Sequence, residues 1–197
     1  SRAYLPLLRR SCRRLVFDFD DAVFLRDSYA ADGESANRRQ ARFDAMVRAA
    51  DIVVAGNGFL YEAAACRTDA GCVRFIPTCV NPGRYPLAEP VRAGEGVQLV
   101  WIGSASTLRG LAAVAPLLEH VGQRCPGVRL KLICDRFLGL DHVPVIACPW
   151  KESDEGAELA AADIGISWLP DDDWSRGKCG LKVLQYMAAG LPVVANP

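Results

Sequence analysis

Short apolar runs alternate with segments of helical periodicity along this chain, and that alternation constrains its fold most. The strand candidates built on these runs fall at residues 13–22, where the strand runs into an acidic loop, and at 51–55, 73–77, 97–104, 128–134, 143–147, 163–170 and 192–195. Most lack the in–out alternation of a half-exposed sheet, so they read as parallel strands covered on both faces. Helices are expected between them. One spans 38–50, with Phe43, Met46, Val47 and Ala50 on one face. Others span 59–66, about 107–122, and 153–162, the last with Ser153 as N-cap and Asp154 and Glu155 in its first turn. Strand–helix order of this kind predicts parallel α/β layering with right-handed crossovers.

The bulk properties narrow the class. The chain has 197 residues, 51% of them hydrophobic, enough for one large or two small domains. Its 23 basic and 23 acidic residues cancel, so electrostatics gives no argument for a nucleic-acid partner, and none is expected. No apolar run approaches the roughly 18 residues of a spanning helix. Residues 1–10 are basic and partly apolar but lack the core of a signal peptide. The 8 cysteines form no C-x-x-C pair, and His120 and His142 are the only histidines, so no metal site is expected. The cysteines read as reduced thiols of a cytoplasmic protein. There is no initiator Met, and the chain stops at Pro197 directly after a strand, so a fragment of a longer protein is expected. The Pro- and Gly-rich segment with Pro82, Gly83, Pro86, Pro90, Gly94 and Gly96 divides the chain into residues 1–82, a linker at 83–96, and residues 97–197.

Two stretches carry binding chemistry. In Lys178–Ala195 a Gly-containing loop opens a short helix, with Leu181, Leu184, Met187 and Ala188 at helical spacing on one face. Gly190 stands where a helix stop with positive φ belongs, and Pro192 follows. Free N–H groups at such a helix start attract a diphosphate; Gly180 and Leu181 would donate, and Lys178 and Lys182 would add charge. The other stretch, Gly103 to Thr107, ends the first strand of a Rossmann-like unit, where ligands gather. Ser106 or Thr107 would cap the next helix.

The run Gln185-Tyr186-Met187-Ala188-Ala189-Gly190-Leu191-Pro192-Val193-Val194-Ala195 resembles the donor-binding signature of group 1 glycosyltransferases of the GT-B fold. Two signature glutamates are replaced here, by Gly177 and Gln185. Gly177 to Lys182 fits a branch of the family with a Gly-Lys-Cys-Gly-Leu-Lys type loop. Residues 51–81 resemble the end of the family's N-terminal domain. The resemblance implies an α/β fold of GT-B type, with two Rossmann-like parallel-sheet domains, the N-terminal one incomplete. It implies a retaining transferase moving a sugar from a nucleotide-diphosphate donor, without metal or other cofactor, to an unidentified acceptor. Gly103, Ser104, Thr107, Lys178, Gly180, Leu181 and Lys182 would hold the diphosphate. Trp150 would border the base, Gln185 the ribose, and Asp171 and Asp173 the donor sugar. No catalytic residue is assigned, and peripheral contact with the inner face of a membrane stays open.

Plainer readings stand beside these: Lys182 facing solvent, Gln185 on the surface, Trp150 as partial core, Asp171–Asp173 as a solvated loop. Two other functions compete. Asp18 and Asp20 have the D-x-D spacing of haloacid-dehalogenase-like Mg²⁺-dependent phosphatases, with Ser104, Lys131 or Lys151, and Asp171–Asp173 as later parts. Ala22 departs from that pattern. A non-catalytic nucleotide-sugar-binding domain is the third reading.

Overall fold

The computed structural model describes residues 4–28, 36–88 and 96–196. The expected loop at 26–37 and linker at 83–96 therefore lie partly outside the described residues. The chain forms two compact units: Ser1–Thr78 with Pro170–Cys179, and Cys79–Leu169 with Gly180–Pro197.

The first unit holds α1 (Leu5–Ser11), β1 (Val16–Phe19), α2 (Ala36–Ala49), β2 (Ile52–Ala55), α3 (Gly58–Ala65) and β3 (Val73–Phe75). Its strands are parallel in the order β1-β2-β3. The α2 face is the expected one: Phe43 and Val47 are buried, and the Phe43 ring meets Phe19 edge-on at 5.2 Å. Helix α1 was not expected; its Pro6 fits a first turn, where no N–H is needed.

The second unit holds β4 (Val97–Ile102), α4 (Ala105–Ala113), α5 (Ala115–Arg124), β5 (Val128–Cys134), β6 (Val145–Pro149), α6 (Glu155–Ala160) and β7 (Ile164–Ser167). After α7 (Asp173–Arg176), which packs in the first unit, come α8 (Leu181–Ala188) and β8 (Val193–Ala195). All strands are parallel, in the order β6-β5-β4-β7-β8. The winding reverses between β4 and β7, the place where such sheets open a crevice.

Local chemistry explains that opening. Strands β4 and β7 pair only at Leu99–Ile164 and Val100–Gly165. Beyond that point Tyr186 stands in for the ladder. Its hydroxyl accepts from the Ile102 N–H at 3.0 Å and donates to the Ile166 carbonyl at 3.2 Å. Tyr186 is fully buried, and burial pushes its hydroxyl far above the ordinary tyrosine range. Gly165 leaves room for the ring: a Cβ there would run into the Tyr186 side chain.

Several expectations are corrected. The apolar face of α8 is not its buried one: Gln185 and Tyr186 are buried, with Ala189 just after the helix, while Leu181 and Met187 are exposed. The tyrosine, which needs buried backbone partners, decides the helix rotation. The single helix at 107–122 is two, broken at Val114, because Pro116 has no N–H to continue α4. The strand expected at 143–147 is β6 at 145–149; it is an edge strand, where Pro149 is tolerated. Helix α6 starts later than expected, with Asp154 at the N-cap, and the Ser153 hydroxyl donates to the Asp154 carboxylate at 2.7 Å.

Candidate functional site

The crevice end of the second unit is built from the end of β4. Gly103 follows that strand, and its N–H donates to the Ile133 carbonyl at 3.1 Å. A Cβ at Gly103 would strike the Trp101 ring and come within 2.7 Å of Thr107 Oγ1, so only glycine lets the chain turn here. Ser104 is the N-cap of α4. The Thr107 hydroxyl is used locally, accepting from the Ser104 N–H at 3.2 Å and donating to the Ser104 carbonyl at 3.1 Å. Ser104 Oγ lies 2.9 Å from Ser106 Oγ.

One residue at this end was missed. Asp135, directly after β5, accepts from the Ala105 N–H at 2.9 Å and so occupies the start of α4. The Cys134 thiol donates to it, and with backbone N–H groups this holds the Asp135 carboxyl below the ordinary range. An acid at a strand end beside a helix start is the signal that would have found it.

Helix α8 begins differently. Its N-cap, Gly180, has φ 66°, a left-handed conformation that glycine adopts without strain, and brings no side-chain cap. The first-turn N–H groups of an α-helix have no intrahelical partner, and the N-cap of α8 supplies no side chain to them. The Lys182 ammonium lies 5.8 Å from the centre of the Trp101 ring. Trp101 thus has Gly103 packed against it and Lys182 beside it. The structure brings Gly103, Ser104, Thr107 and Lys182 to one end of the sheet.

Trp150 and Gln185 meet through a third residue. Glu155 Oε1 accepts from Gln185 Nε2 at 2.7 Å and from the Tyr85 hydroxyl at 2.9 Å, and Glu155 Oε2 accepts from Trp150 Nε1 at 2.8 Å. Gln185 is 8% exposed, not a surface residue, and Trp150 is half exposed. Burial raises the Tyr85 hydroxyl above its usual range. A cavity of about 200 Å³ opens beside Glu155 and is lined in part by Ile133, Cys148, Pro149 and Lys151.

The remaining expected residues belong to the first unit. The Lys178 ammonium is 2.9 Å from Asp21 Oδ1 and 3.9 Å from the centre of the Trp174 ring. Asn57 caps α3 with its Oδ1 and donates to the Arg176 and Lys178 carbonyls, both at 3.1 Å. The Cys179 thiol donates to the Asp20 carbonyl at 3.1 Å. A Cβ at Gly177 would collide with Ala22, so no glutamate can stand there without moving the β1 loop. Asp171 and Asp173 each lie 3.3 Å from Arg176, and Asp172 caps α7. Of the phosphatase parts, Asp18 and Asp20 lie in the first unit and Ser104, Lys131 and Lys151 in the second. Lys131 is committed to Glu158 at 2.9 Å. Among the described residues, no group of three or more His, Cys, Asp or Glu could hold a metal ion, and no helix is long and apolar enough to cross a membrane.

No family model and no curated protein matches the sequence. Solved structures do match the fold. The Anabaena protein Alr3699/HepE, solved with UDP and glucose, aligns at TM-score 0.65 and 16% identity over 99% of this chain and 57% of its own. TarM aligns at TM-score 0.67 and 10% identity over 99% of this chain and 39% of its own. The apo form of the lipopolysaccharide outer core galactosyltransferase WaaB aligns at TM-score 0.50 and 13% identity, over 77% of this chain and 44% of its own. The chain thus spans little more than half the length of the first of these and less of the others. At such identities the likeness is one of fold: α/β of the GT-B type, with Rossmann-like parallel sheets.

Proposed function

We propose that this chain carries the donor-binding part of a glycosyltransferase that moves a sugar from a nucleotide-diphosphate sugar to an acceptor hydroxyl. The observation that carries the reading is the start of α8: a left-handed glycine that brings no side-chain cap, and Lys182 beside Trp101 of β4. Matching structures add weight, since one is a complex with UDP-glucose and another is a galactosyltransferase.

The chemistry follows from charge. As the glycosidic bond to the donor breaks, negative charge grows on the departing diphosphate. Fixed N–H groups of Gly180 and Leu181 and the Lys182 ammonium stabilise that charge without reorganising. Ser104, Thr107 and the Gly103 turn border the phosphates from the β4 end. The acceptor hydroxyl attacks the anomeric carbon, with retention as the family resemblance implies. The cations are the protein's own, so binding needs no metal. Trp150 serves the base and Gln185 the ribose. Asp171 and Asp173 remain assigned to the donor sugar, and Lys178 to the diphosphate.

Calorimetric titration with UDP and GDP, with and without Mg²⁺, tests this. Metal-independent binding that weakens about tenfold in Lys182→Ala, about 1.4 kcal/mol, is expected, and Lys178→Ala reads the share of that residue. Failure of wild type to bind either nucleotide refutes the reading.

A further inference from the structure

Tyr85, Trp150 and Gln185 converge on one carboxylate, that of Glu155, and the convergence has a chemical consequence. A carboxylate only accepts hydrogen bonds. The Gln185 carboxamide must therefore turn its NH₂ toward Glu155 Oε1, at 2.7 Å. Tyr85 gives its proton to the same oxygen at 2.9 Å, so its own oxygen accepts from Gln185 Nε2 at 3.3 Å. Both partners of that NH₂ agree on one orientation, which turns Gln185 Oε1 the other way as an acceptor. Gln185 is four residues beyond Leu181, about 6 Å along the helix at 1.5 Å per residue. A nucleotide whose diphosphate meets the start of α8 has its ribose next along the chain of groups. Ribose hydroxyls are donors, and they need an acceptor.

We infer that Glu155 is a positioning residue: it fixes the Gln185 carboxamide so that Oε1 accepts from a ribose hydroxyl of the nucleotide. The inference rests on the donor reading above. Glu155 touches no reacting atom; it acts through Gln185. The missing carboxylate at position 185 is thereby replaced by a pair, an amide that makes the contact and a carboxylate behind it that sets the amide's direction.

The test compares UDP and GDP with their 2′,3′-dideoxy counterparts by calorimetry on wild type and Glu155→Gln. The variant is nearly isosteric, but one end of its amide donates, so it cannot accept from Tyr85, Gln185 and Trp150 together. Wild type is expected to prefer the ribonucleotide about tenfold. Glu155→Gln is expected to shrink that preference below about twofold, any loss through Trp150, which also donates to Glu155, falling equally on both forms. Tyr85→Phe, which leaves the Glu155–Gln185 bond in place, should keep the preference. Retention of the full preference in Glu155→Gln overturns the inference. So does an equal loss for both ligand forms, which is what a merely structural Glu155 would give. Should Glu155→Gln unfold, Glu155→Asp withdraws the charge by one methylene and is read by the same criteria. A wild type that binds ribo and dideoxy forms equally sinks this inference alone; one that binds neither sinks the donor reading.

Discussion

Tyr186→Phe is the substitution that most directly probes how the crevice is held open. It removes one oxygen and leaves the ring. Two backbone groups then lose a partner: the Ile102 N–H, bonded at 3.0 Å, and the Ile166 carbonyl, bonded at 3.2 Å. The site is dry, since Tyr186 is 0% exposed and Ile102 is buried. A buried donor left without an acceptor costs about 1–3 kcal/mol, and a lost neutral hydrogen bond about 0.5–1.5 kcal/mol. Taken together, a loss of about 2–3 kcal/mol is expected. Trp101 is buried in this unit, so its fluorescence reports the transition during urea unfolding. With a slope of about 1–3 kcal/mol per molar urea, the midpoint should fall by about 1 M. A loss below about 0.5 kcal/mol would refute the reasoning, because it would mean that β4 and β7 do not depend on the hydroxyl. Gly165→Ala gives the complementary reading. Its methyl enters the Tyr186 ring, so its cost should be strongly non-additive with Tyr186→Ala, which vacates that space.

Further outcomes follow from the same geometry. Asp135→Asn removes a negative charge from the start of α4 while keeping an acceptor for the Ala105 N–H; calorimetry should show UDP or GDP bound about two- to fivefold more tightly, the gain shrinking with added salt. Thiol labelling at pH 7 should modify Cys66, Cys79 and Cys125, which are exposed, well before Cys134 and Cys179, whose thiols burial pushes above the ordinary range. In the first unit, Asp44 is held below the ordinary carboxylate range by a hydrogen bond from Gln40 and the Arg67 guanidinium, and Asp51 by hydrogen bonds from Arg9 and the Leu15 N–H. Carboxyls depressed in this way stabilise the fold fully above about pH 4 and lose that contribution as the pH falls through their lowered values. Acid titration by circular dichroism should therefore show a loss of stability below about pH 4, and Asp51→Asn should flatten it.

The strands were legible in the sequence because a parallel sheet covered on both faces leaves continuous apolar runs, as in Leu99–Ile102 of β4, all four buried. The rotation of α8 was not. Val183, Tyr186 and Ala189 share a helical spacing as good as that of Leu181, Leu184 and Met187. What chooses between them is a hydroxyl reaching strands far away in the chain, which no local pattern encodes. The break between α4 and α5 was visible in Pro116. In the candidate site, Gly103 and Gly180 could be picked out because glycine at a strand end or helix start has few other reasons to be there. Glu155 could not, since its role arises only when residues 85, 150 and 185 converge on it. Lys178 was recognisable as a cation; that Asp21 and Trp174 hold it depends on the packing of residues 170–179 with the first unit.

The backbone amide NMR spectrum of the chain during titration with UDP or GDP reads the donor site residue by residue. The largest shifts are expected at Ser104 and at Gly180, Leu181 and Lys182, with a smaller response at Gln185 and Trp150. Shifts confined to other surfaces, or an unchanged spectrum at millimolar nucleotide, would contradict the donor reading.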